Sequence, residues 1–368
     1  MSKHEDTDEH EMLEIPAPLL VTAGDPAGIG AEVAHKAIKR LQRKHEILPE
    51  RPVVVIGDAF LYAQHLEKPS AMQAYHIVPV DDFLMDMGYL VHHLMPREGK
   101  PWRPIFLDCG FKDQSAIQPG KPGELSGERA ATYLEVAVEL LDDDVADAVC
   151  TAPICKDVMP GEAFPFPGQT EFFAAACDVE HPVMMLVGGG LRVALATIHL
   201  PLAKVPRALN RKDLRRTIQT VGESLREDFG IEKPRIAVCG LNPHAGENGR
   251  FGTEERKVIE PALRALKGKG FEVEGPLPAD SVFWFARQGR YDAVIAMYHD
   301  QGLAPLKAVA FHEGVNVTLG LPVVRTSPDH GTAFDIAGKN EADEHATYNA
   351  ILLAHEISNR REAAYARA

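Results

Sequence analysis

Short apolar runs that end in glycine- or acid-bearing turns and give way to helix-period stretches recur along this chain. That alternation is the strongest constraint on its architecture, because strands separated by helices pair most readily in parallel within one sheet. The first run, Leu19-Leu20-Val21-Thr22, reads as a buried strand and stops at Ala23-Gly24-Asp25-Pro26-Ala27-Gly28-Ile29-Gly30. A helix is expected from about Ala31, with Ala34, Ala37, Ile38 and Leu41 on one face. Further strands are expected at 53–56, 105–107 and 146–151, with a helix over 126–140. The rhythm changes after about residue 155, where 184–187 and 193–198 flank Gly188-Gly189-Gly190 as the arms of a hairpin would. An antiparallel element inside a mixed sheet accounts for this. Alternation then resumes with a helix over 211–228, a strand over 235–239 and a helix over 253–266. Strands over 291–297 and 315–319 and a closing helix over 342–357 complete the pattern.

The chain's 368 residues exceed one average domain. Its hydrophobic content of 45% and charged content of 25% are those of a globular protein. No apolar stretch reaches the roughly 18 residues of a membrane span. Residues 1–18 carry six acids against Lys3 alone, five of the 14 net negative charges, and read as a disordered acidic tail rather than a secretion signal. The remainder is still acidic, which argues against nucleic acid or an anionic membrane as partner. Five cysteines (Cys109, Cys150, Cys155, Cys177 and Cys239) lack zinc-site spacing and fit free thiols in a reducing cytoplasm. Cys109, Cys150 and Cys239 lie in apolar strand-like runs, where a thiol acts as a small hydrophobe.

Three histidines stand at the ends of predicted strands: His199 in Thr197-Ile198-His199-Leu200-Pro201, His244 in Asn242-Pro243-His244-Ala245-Gly246-Glu247, and His299 in Met297-Tyr298-His299-Asp300-Gln301-Gly302. Ligand clefts of open α/β sheets form at the carboxyl ends of strands. Three imidazoles suffice to hold a catalytic divalent metal and leave positions for substrate or water. A single strand-end histidine ordinarily makes a structural hydrogen bond, and spacings of 45 and 55 residues match no local zinc motif. The shared context of the three is what sets them apart.

Other candidates are polar groups in the same kinds of position. Asp280 is explained by capping a helix over 282–288, and Asp300 by orienting its neighbour His299 as an acceptor. Lys307, Asn316 and Arg325 suit phosphate or carboxylate. Gly168-Gln169-Thr170-Glu171 reads as a helix start, with Thr170 as cap or Glu171 in the first turn. The loop Gly24 to Gly30 is neither G-x-G-x-x-G nor a P-loop, so any dinucleotide site here is not of the Rossmann kind. Pattern alone leaves that loop open as a structural turn or a wall of a ligand cleft.

Taken together, these motifs resemble the 4-hydroxythreonine-4-phosphate dehydrogenase family, the PdxA-type enzymes of vitamin B6 synthesis, from about Leu19 to Leu353. Asn316-Val317-Thr318-Leu319-Gly320-Leu321-Pro322 and Arg325-Thr326-Ser327-Pro328-Asp329-His330-Gly331-Thr332 carry the resemblance along with the glycine-rich loop and the histidine segments. It implies an α/β, two-domain fold like that of isocitrate and isopropylmalate dehydrogenases, with mixed sheets and not a Rossmann fold. The expected division is 19–158 with 325–368 as one domain and 159–324 as the other, with the active site in the cleft between them. It implies His199, His244 and His299 as metal ligands, Gln169, Thr170, Lys307, Asn316 and Arg325 as substrate contacts, and Asp280, Asp300 and Lys307 as candidate catalytic groups. The proton acceptor stays open between Asp280, Asp300 and a bound water. The implied cofactors are NAD or NADP and one divalent ion (zinc, magnesium or cobalt), in homodimers with shared active sites. The implied reaction is oxidation of 4-phosphohydroxy-L-threonine followed by decarboxylation. The family usually has histidine where this chain has Gln169, which keeps erythronate or threonate 4-phosphate, or an aromatic cis-diol, as alternative substrates. A non-catalytic metabolite-binding protein is the alternative outside enzymology.

Overall fold

The computed structural model describes residues 16–47, 50–85, 100–111, 113, 116–162, 164–266 and 268–366. The acidic tail expected over 1–18 lies almost wholly outside the described residues. Twelve strands among these residues form one mixed sheet. The first part of the chain builds β1 (Leu19–Thr22), α1 (Gly30–Lys44), β2 (Val53–Gly57), α2 (Ala59–Ala63), β3 (His76–Pro79), α3 (Val80–Met85), β4 (Ile105–Asp108), α4 (Glu124–Asp142) and β5 (Ala148–Thr151). Next come α5 (Gln169–Ala176), β6 (Val183–Gly188), β7 (Leu191–Leu195), α6 (Val205–Ala208), α7 (Arg211–Glu227), β8 (Arg235–Cys239), α8 (Glu260–Arg264) and β9 (Glu272–Leu277). The last elements are α9 (Ala279–Arg287), β10 (Ala293–Ala296), α10 (His299–Ala310), β11 (Val315–Leu319), β12 (Val324–Pro328) and α11 (His345–Tyr365).

The strand order is β3-β4-β2-β1-β5-β12-β11-β6-β7-β10-β8-β9. All pairs from β3 to β12 are parallel, as are those from β7 to β9. Between these two parallel blocks, β12, β11, β6 and β7 pair antiparallel in turn. The expected hairpin is β6–β7, turned by Gly189 and Gly190, whose positive φ values of 57° and 80° suit a tight two-residue turn.

Continuous apolar strands are what two covered faces require. Every residue of β1, β2 and β5 is buried. In the second block the faces separate by twos: Met185, Ala194, Ile236, Val238 and Ile295 join the main core, whereas Leu186, Val193, Ala237, Cys239 and Val294 pack with Val282, Phe283 and Leu303 on the other side. Helix α11 lies across β12 and β5. No described helix is long and apolar enough to cross a membrane.

The sequence expectations differ from the structure in instructive places. β3, β9 and β12 were not expected. β9 sits at the sheet edge and contains Gly275-Pro276, which an edge tolerates; β12 is a buried strand written in polar letters, Arg325-Thr326-Ser327. α10 escapes pattern reading because Gly302 and Pro305 lie inside it. Gly302 is required there: a Cβ would stand 2.8 Å from Val193 Cγ1. The helix expected over 253–266 is a π-helical turn, Glu255–Ile259, running into the short α8. Pro261 has no N–H to return to the Lys257 carbonyl, so regular α-geometry lapses at that point. Cys109 falls just beyond β4 and is only half-buried. The closing helix starts at His345 and runs to Tyr365.

One buried ion pair ties the first block together. Asp58, at the end of β2, accepts from Arg129 Nε at 2.8 Å and Nη2 at 3.0 Å, from Tyr133 Oη at 2.6 Å and from the Phe111 N–H at 3.0 Å. Asp58→Ala leaves Arg129 uncompensated and is expected to lower unfolding stability by about 3 kcal/mol. Urea denaturation followed by circular dichroism checks this, and an unchanged midpoint contradicts it.

Candidate active site

The site is built at the seam between the two parallel blocks. Register places Arg325 of β12 beside Val149 of β5 and Thr318 of β11. The side chain is 3% exposed. Its Nε and Nη2 donate to Thr151 Oγ1 at 3.2 and 2.7 Å. Nη1 donates to Thr318 Oγ1 at 3.1 Å and Thr170 Oγ1 at 3.4 Å, and Nη2 to Gln169 Oε1 at 3.4 Å. All four partners are neutral. Burial pulls the guanidinium down to about 10, opposed by the more distant Cys150 and Glu171, so it remains charged near neutral pH. A buried cation held only by hydroxyls and an amide calls for an anion.

Gln169 and Thr170 open α5 after extended Gly168, and Gln169 is itself fixed by donating from Nε2 to the Ala152 carbonyl at 3.0 Å. The cavity in front of Arg325 has a volume of about 290 Å³ and is lined by Thr151, Lys156, Gln169, Thr170, Glu171, His199, Asn316, Asp329 and His330 among others. Two buried acceptors there lack partners, Asn316 Oδ1 and His330 Nε2. His330 Nδ1 lies 3.0 Å from the Gly331 carbonyl and must donate to it; burial also lowers its pKa, leaving Nε2 an open acceptor. Lys307 reaches from α10 to Asp329, Nζ to Oδ2 3.1 Å.

His199 also lines an adjoining hollow of about 270 Å³ with Ile198, Tyr298, His299 and Asp300. The His199 and His299 rings are 5.7 Å apart between centroids. His299 Nδ1 donates to Asp300 Oδ1 at 2.7 Å, which fixes the tautomer and leaves the Nε2 lone pair open. The His199 pKa is lowered by burial first and then by Lys156 and His299, against an upward pull from Glu171. A neutral imidazole is the form that ligates metal.

Hydrogen bonds lock the strand ends that carry these rings. Thr197 Oγ1 donates to the Met297 carbonyl at 2.7 Å, and the Ala196 N–H to the Ala296 carbonyl at 2.8 Å. Gln301 Oε1 accepts from the Met297 N–H at 2.7 Å, while its Nε2 donates to the Gly240 carbonyl at 2.8 Å. The ends of β7, β10 and β8 are thereby joined through side chains of the histidine motifs themselves.

His244 stands apart from the other two. It is exposed, its ring 6.3 Å from that of Phe251. It begins five consecutive residues, His244 to Asn248, with positive φ between 41° and 80°. Four of the five are not glycine, so this left-handed turn is strained. Buried Glu255 holds it, with Oε1 accepting from the Asn242 N–H at 2.8 Å and Oε2 from Asn242 Nδ2 at 3.1 Å. Among the described residues, the cluster of three or more metal-type side chains with donor atoms mutually within 4.8 Å is the exposed Asp343, Glu344 and His345. The three histidines do not close around one point within this chain, and His244 lines neither of the two hollows.

Asp280 is exposed in the first turn of α9, outside both hollows and without a capping hydrogen bond. Sequence reasoning passed over Lys156, Thr151, Thr318, Asp329 and His330 as site residues. A signal was available for the threonines, which interrupt buried apolar strands, and for Lys156, which follows the carboxyl end of a strand.

Comparison with known proteins gives one consistent result. Residues 50–354 match the profile of the family described as "Pyridoxal phosphate biosynthetic protein PdxA". A 4-hydroxythreonine-4-phosphate dehydrogenase of Acidithiobacillus ferrooxidans is 43% identical over 352 residues, 94% of this chain and 98% of the relative. The solved structure of a 4-hydroxythreonine-4-phosphate dehydrogenase from Klebsiella pneumoniae is 35% identical with a TM-score of 0.76, covering 93% of this chain and 99% of that one. A terephthalate 1,2-cis-dihydrodioldehydrogenase from Burkholderia xenovorans is 28% identical with a TM-score of 0.61, covering 92% and 98%.

Removing Glu255 takes away the acceptor that holds the left-handed turn. Glu255→Ala is expected to raise the opening of residues 242–249 by about 2 kcal/mol, read as faster amide hydrogen exchange confined to that loop. Unchanged exchange there would show that the turn is held by something else.

Proposed function

The chain belongs to the PdxA family of pyridoxal phosphate biosynthetic proteins, and we propose that it oxidises 4-phosphohydroxy-L-threonine at its secondary alcohol with NAD or NADP, yielding 2-amino-3-oxo-4-phosphooxybutanoate, which loses carbon dioxide to give 3-amino-2-oxopropyl phosphate. The observation that carries this reading is Arg325, a buried guanidinium without a carboxylate partner, facing a cavity sized for a small anion-bearing molecule. Relatives named for this activity at about 40% identity over nearly the whole chain support it further.

In this mechanism Arg325 binds an anionic group of the substrate, its fork pre-set by Thr151, Thr170, Thr318 and Gln169. Asn316 Oδ1 accepts a donor group of the substrate, and Lys307, its charge shared with Asp329, adds a weaker contact to the substrate's anionic side. The hydroxyl proton leaves to water or to the Asp300 carboxylate, which lines the His199–His299 hollow; Asp280, the other carboxylate considered, lies outside both hollows of this chain. A nicotinamide bound beside the hydroxyl-bearing carbon would accept its hydride, the protein's part being to place the two. His199 and His299, with a His244 brought by a second copy of the chain, would hold a divalent ion (zinc, cobalt or magnesium), which would supply Lewis acidity toward the substrate hydroxyl. Asp300 sets the tautomer of His299 for that role.

A homodimer with shared sites fits the exposed position of His244, since a second copy brings another histidine set to the open side. Leu200 and Leu202 after His199, Phe251 beside His244, and Trp284 on α9 are exposed apolar groups consistent with such a contact. The seam β5-β12-β11-β6 supports a division into 19–158 with 325–368 and 159–324, with the active site between them. Free cysteines throughout are consistent with a cytoplasmic setting.

Reduced-nicotinamide absorbance with 4-phosphohydroxy-L-threonine is the direct test, with both dinucleotides and with metal chelated and restored. Turnover is expected, lost on chelation and recovered on adding zinc, cobalt or magnesium. Erythronate 4-phosphate or a cis-diol turned over in preference would redirect the substrate assignment, and binding without turnover of any of them would favour a metabolite-binding protein. Arg325→Met is expected to weaken substrate about tenfold to a hundredfold, the worth of a charge-assisted contact, visible as a raised KM.

A further inference from the structure

Lys156 is a cation that the reading above leaves without a task. It lines the Arg325 cavity together with Glu171 and His199. Unlike Lys307, it forms no ion pair among the described residues. Its charge is felt at the His199 ring.

The loop that presents it is built with care. Gly127 of α4 packs so tightly on this segment that a Cβ would fall 1.7 Å from the Val158 carbonyl oxygen. On the other side, Gly24 has φ +71°, and a Cβ there would stand 2.5 Å from the Pro153 carbonyl oxygen. The Asp25 N–H donates to that same oxygen at 3.0 Å. The Asp25 carboxyl is buried, with Oδ1 accepting from the Ala27 N–H at 2.9 Å and Oδ2 left without a close donor. Burial raises the Asp25 pKa, against smaller downward pulls from the Ala27 N–H, Ser126 and the Cys155 N–H. The glycine-rich motif is thus spent on shaping residues 152–158. At the far end, Gly168 keeps the Lys156 chain clear, because a Cβ would press on its Cε at 3.1 Å and its Nζ at 3.2 Å.

We propose that Lys156 is a substrate-binding residue that takes an oxyanion of the substrate in the same cavity as Arg325, and that the Gly24–Gly30 loop serves to place it. The proposal rests on the dehydrogenase reading: a substrate with a phosphate at one end and a carboxylate at the other presents two anions, and Arg325 answers one. Lys307 is already engaged by Asp329, which leaves Lys156 as the unpaired ammonium. A compact ammonium contacts either oxyanion as a point charge.

The test compares wild type with Lys156→Met and Lys156→Arg in the metal-loaded enzyme. Calorimetric titration with 4-phosphohydroxy-L-threonine is expected to show about tenfold to a hundredfold weaker binding for Lys156→Met and partial recovery for Lys156→Arg. KM for the substrate is expected to rise in step, while KM for the dinucleotide stays within about twofold. Repeating the titration with unphosphorylated 4-hydroxy-L-threonine identifies the group: loss only with the phosphorylated ligand assigns phosphate, and loss with both assigns carboxylate. Equal affinity of wild type and Lys156→Met for the phosphorylated substrate overturns the proposal. Should wild type bind no such substrate, the dehydrogenase reading falls separately, and inorganic phosphate becomes the probe. Thermal protection by phosphate that weakens in Lys156→Met then supports the anion role; equal protection, or none in wild type, overturns it.

Discussion

The rest of the site depends on one electrostatic imbalance, the Arg325 guanidinium buried between β5 and β11 with only neutral oxygens as hydrogen-bond partners. Burying a charge is costly, and a chain selected for stability alone would place a carboxylate there or an apolar side chain. Thr151, Thr318, Thr170 and Gln169 each satisfy part of the guanidinium's donor set without neutralising it. The structure therefore carries a standing demand for an anion at that point. That demand explains why β12 carries a buried arginine, and why β5 and β11 each place a buried threonine beside it.

A second constraint concerns rigidity at the opposite wall. His199 and His299 belong to separate strands, and two flexible loops would not hold their rings 5.7 Å apart. Thr197 and Gln301 prevent that freedom by bonding the backbones of β7, β10 and β8 at their ends. Both clasping residues sit within two positions of a histidine, so each motif supplies both a ring and the means of fixing it. The loop of His244 is treated differently. It is wound left-handed at a conformational cost and pinned from inside by Glu255, and its histidine is exposed.

Much of this architecture was legible from residue patterns. β1, β2, β5 and the β6–β7 hairpin are local, dense in apolar or glycine signals, and appear within a few residues of their expected places. β12 was missed for a physical reason: polar residues read as exposed unless something else pays their desolvation, and here a ring of hydroxyls does so. α10 was missed because Gly302 and Pro305 oppose helix formation locally, while packing of Gly302 on Val193 and Leu195 overrides them. Arg325, Thr170, Gln169 and Asn316 were singled out from sequence and do meet at one cavity. His330 was not, because nothing in its neighbours' spacing distinguishes a cavity wall from a solvated loop; Lys156 was not either, although its place after the carboxyl end of β5 was a usable signal.

What the sequence determined by itself is the set of strands with both faces covered, the three strand-end histidines and the cationic residues near the carboxyl third, since these follow from local periodicity and side-chain chemistry. Only the tertiary structure decided which of those groups share a cavity. Arg325 and Thr151 are separated by 174 positions in the chain and joined by a 2.7 Å hydrogen bond, through a sheet order that no local pattern encodes. The same holds for the histidines: His199 and His299 meet because β7 and β10 are neighbours, whereas His244 sits exposed on a left-handed turn and lines neither hollow.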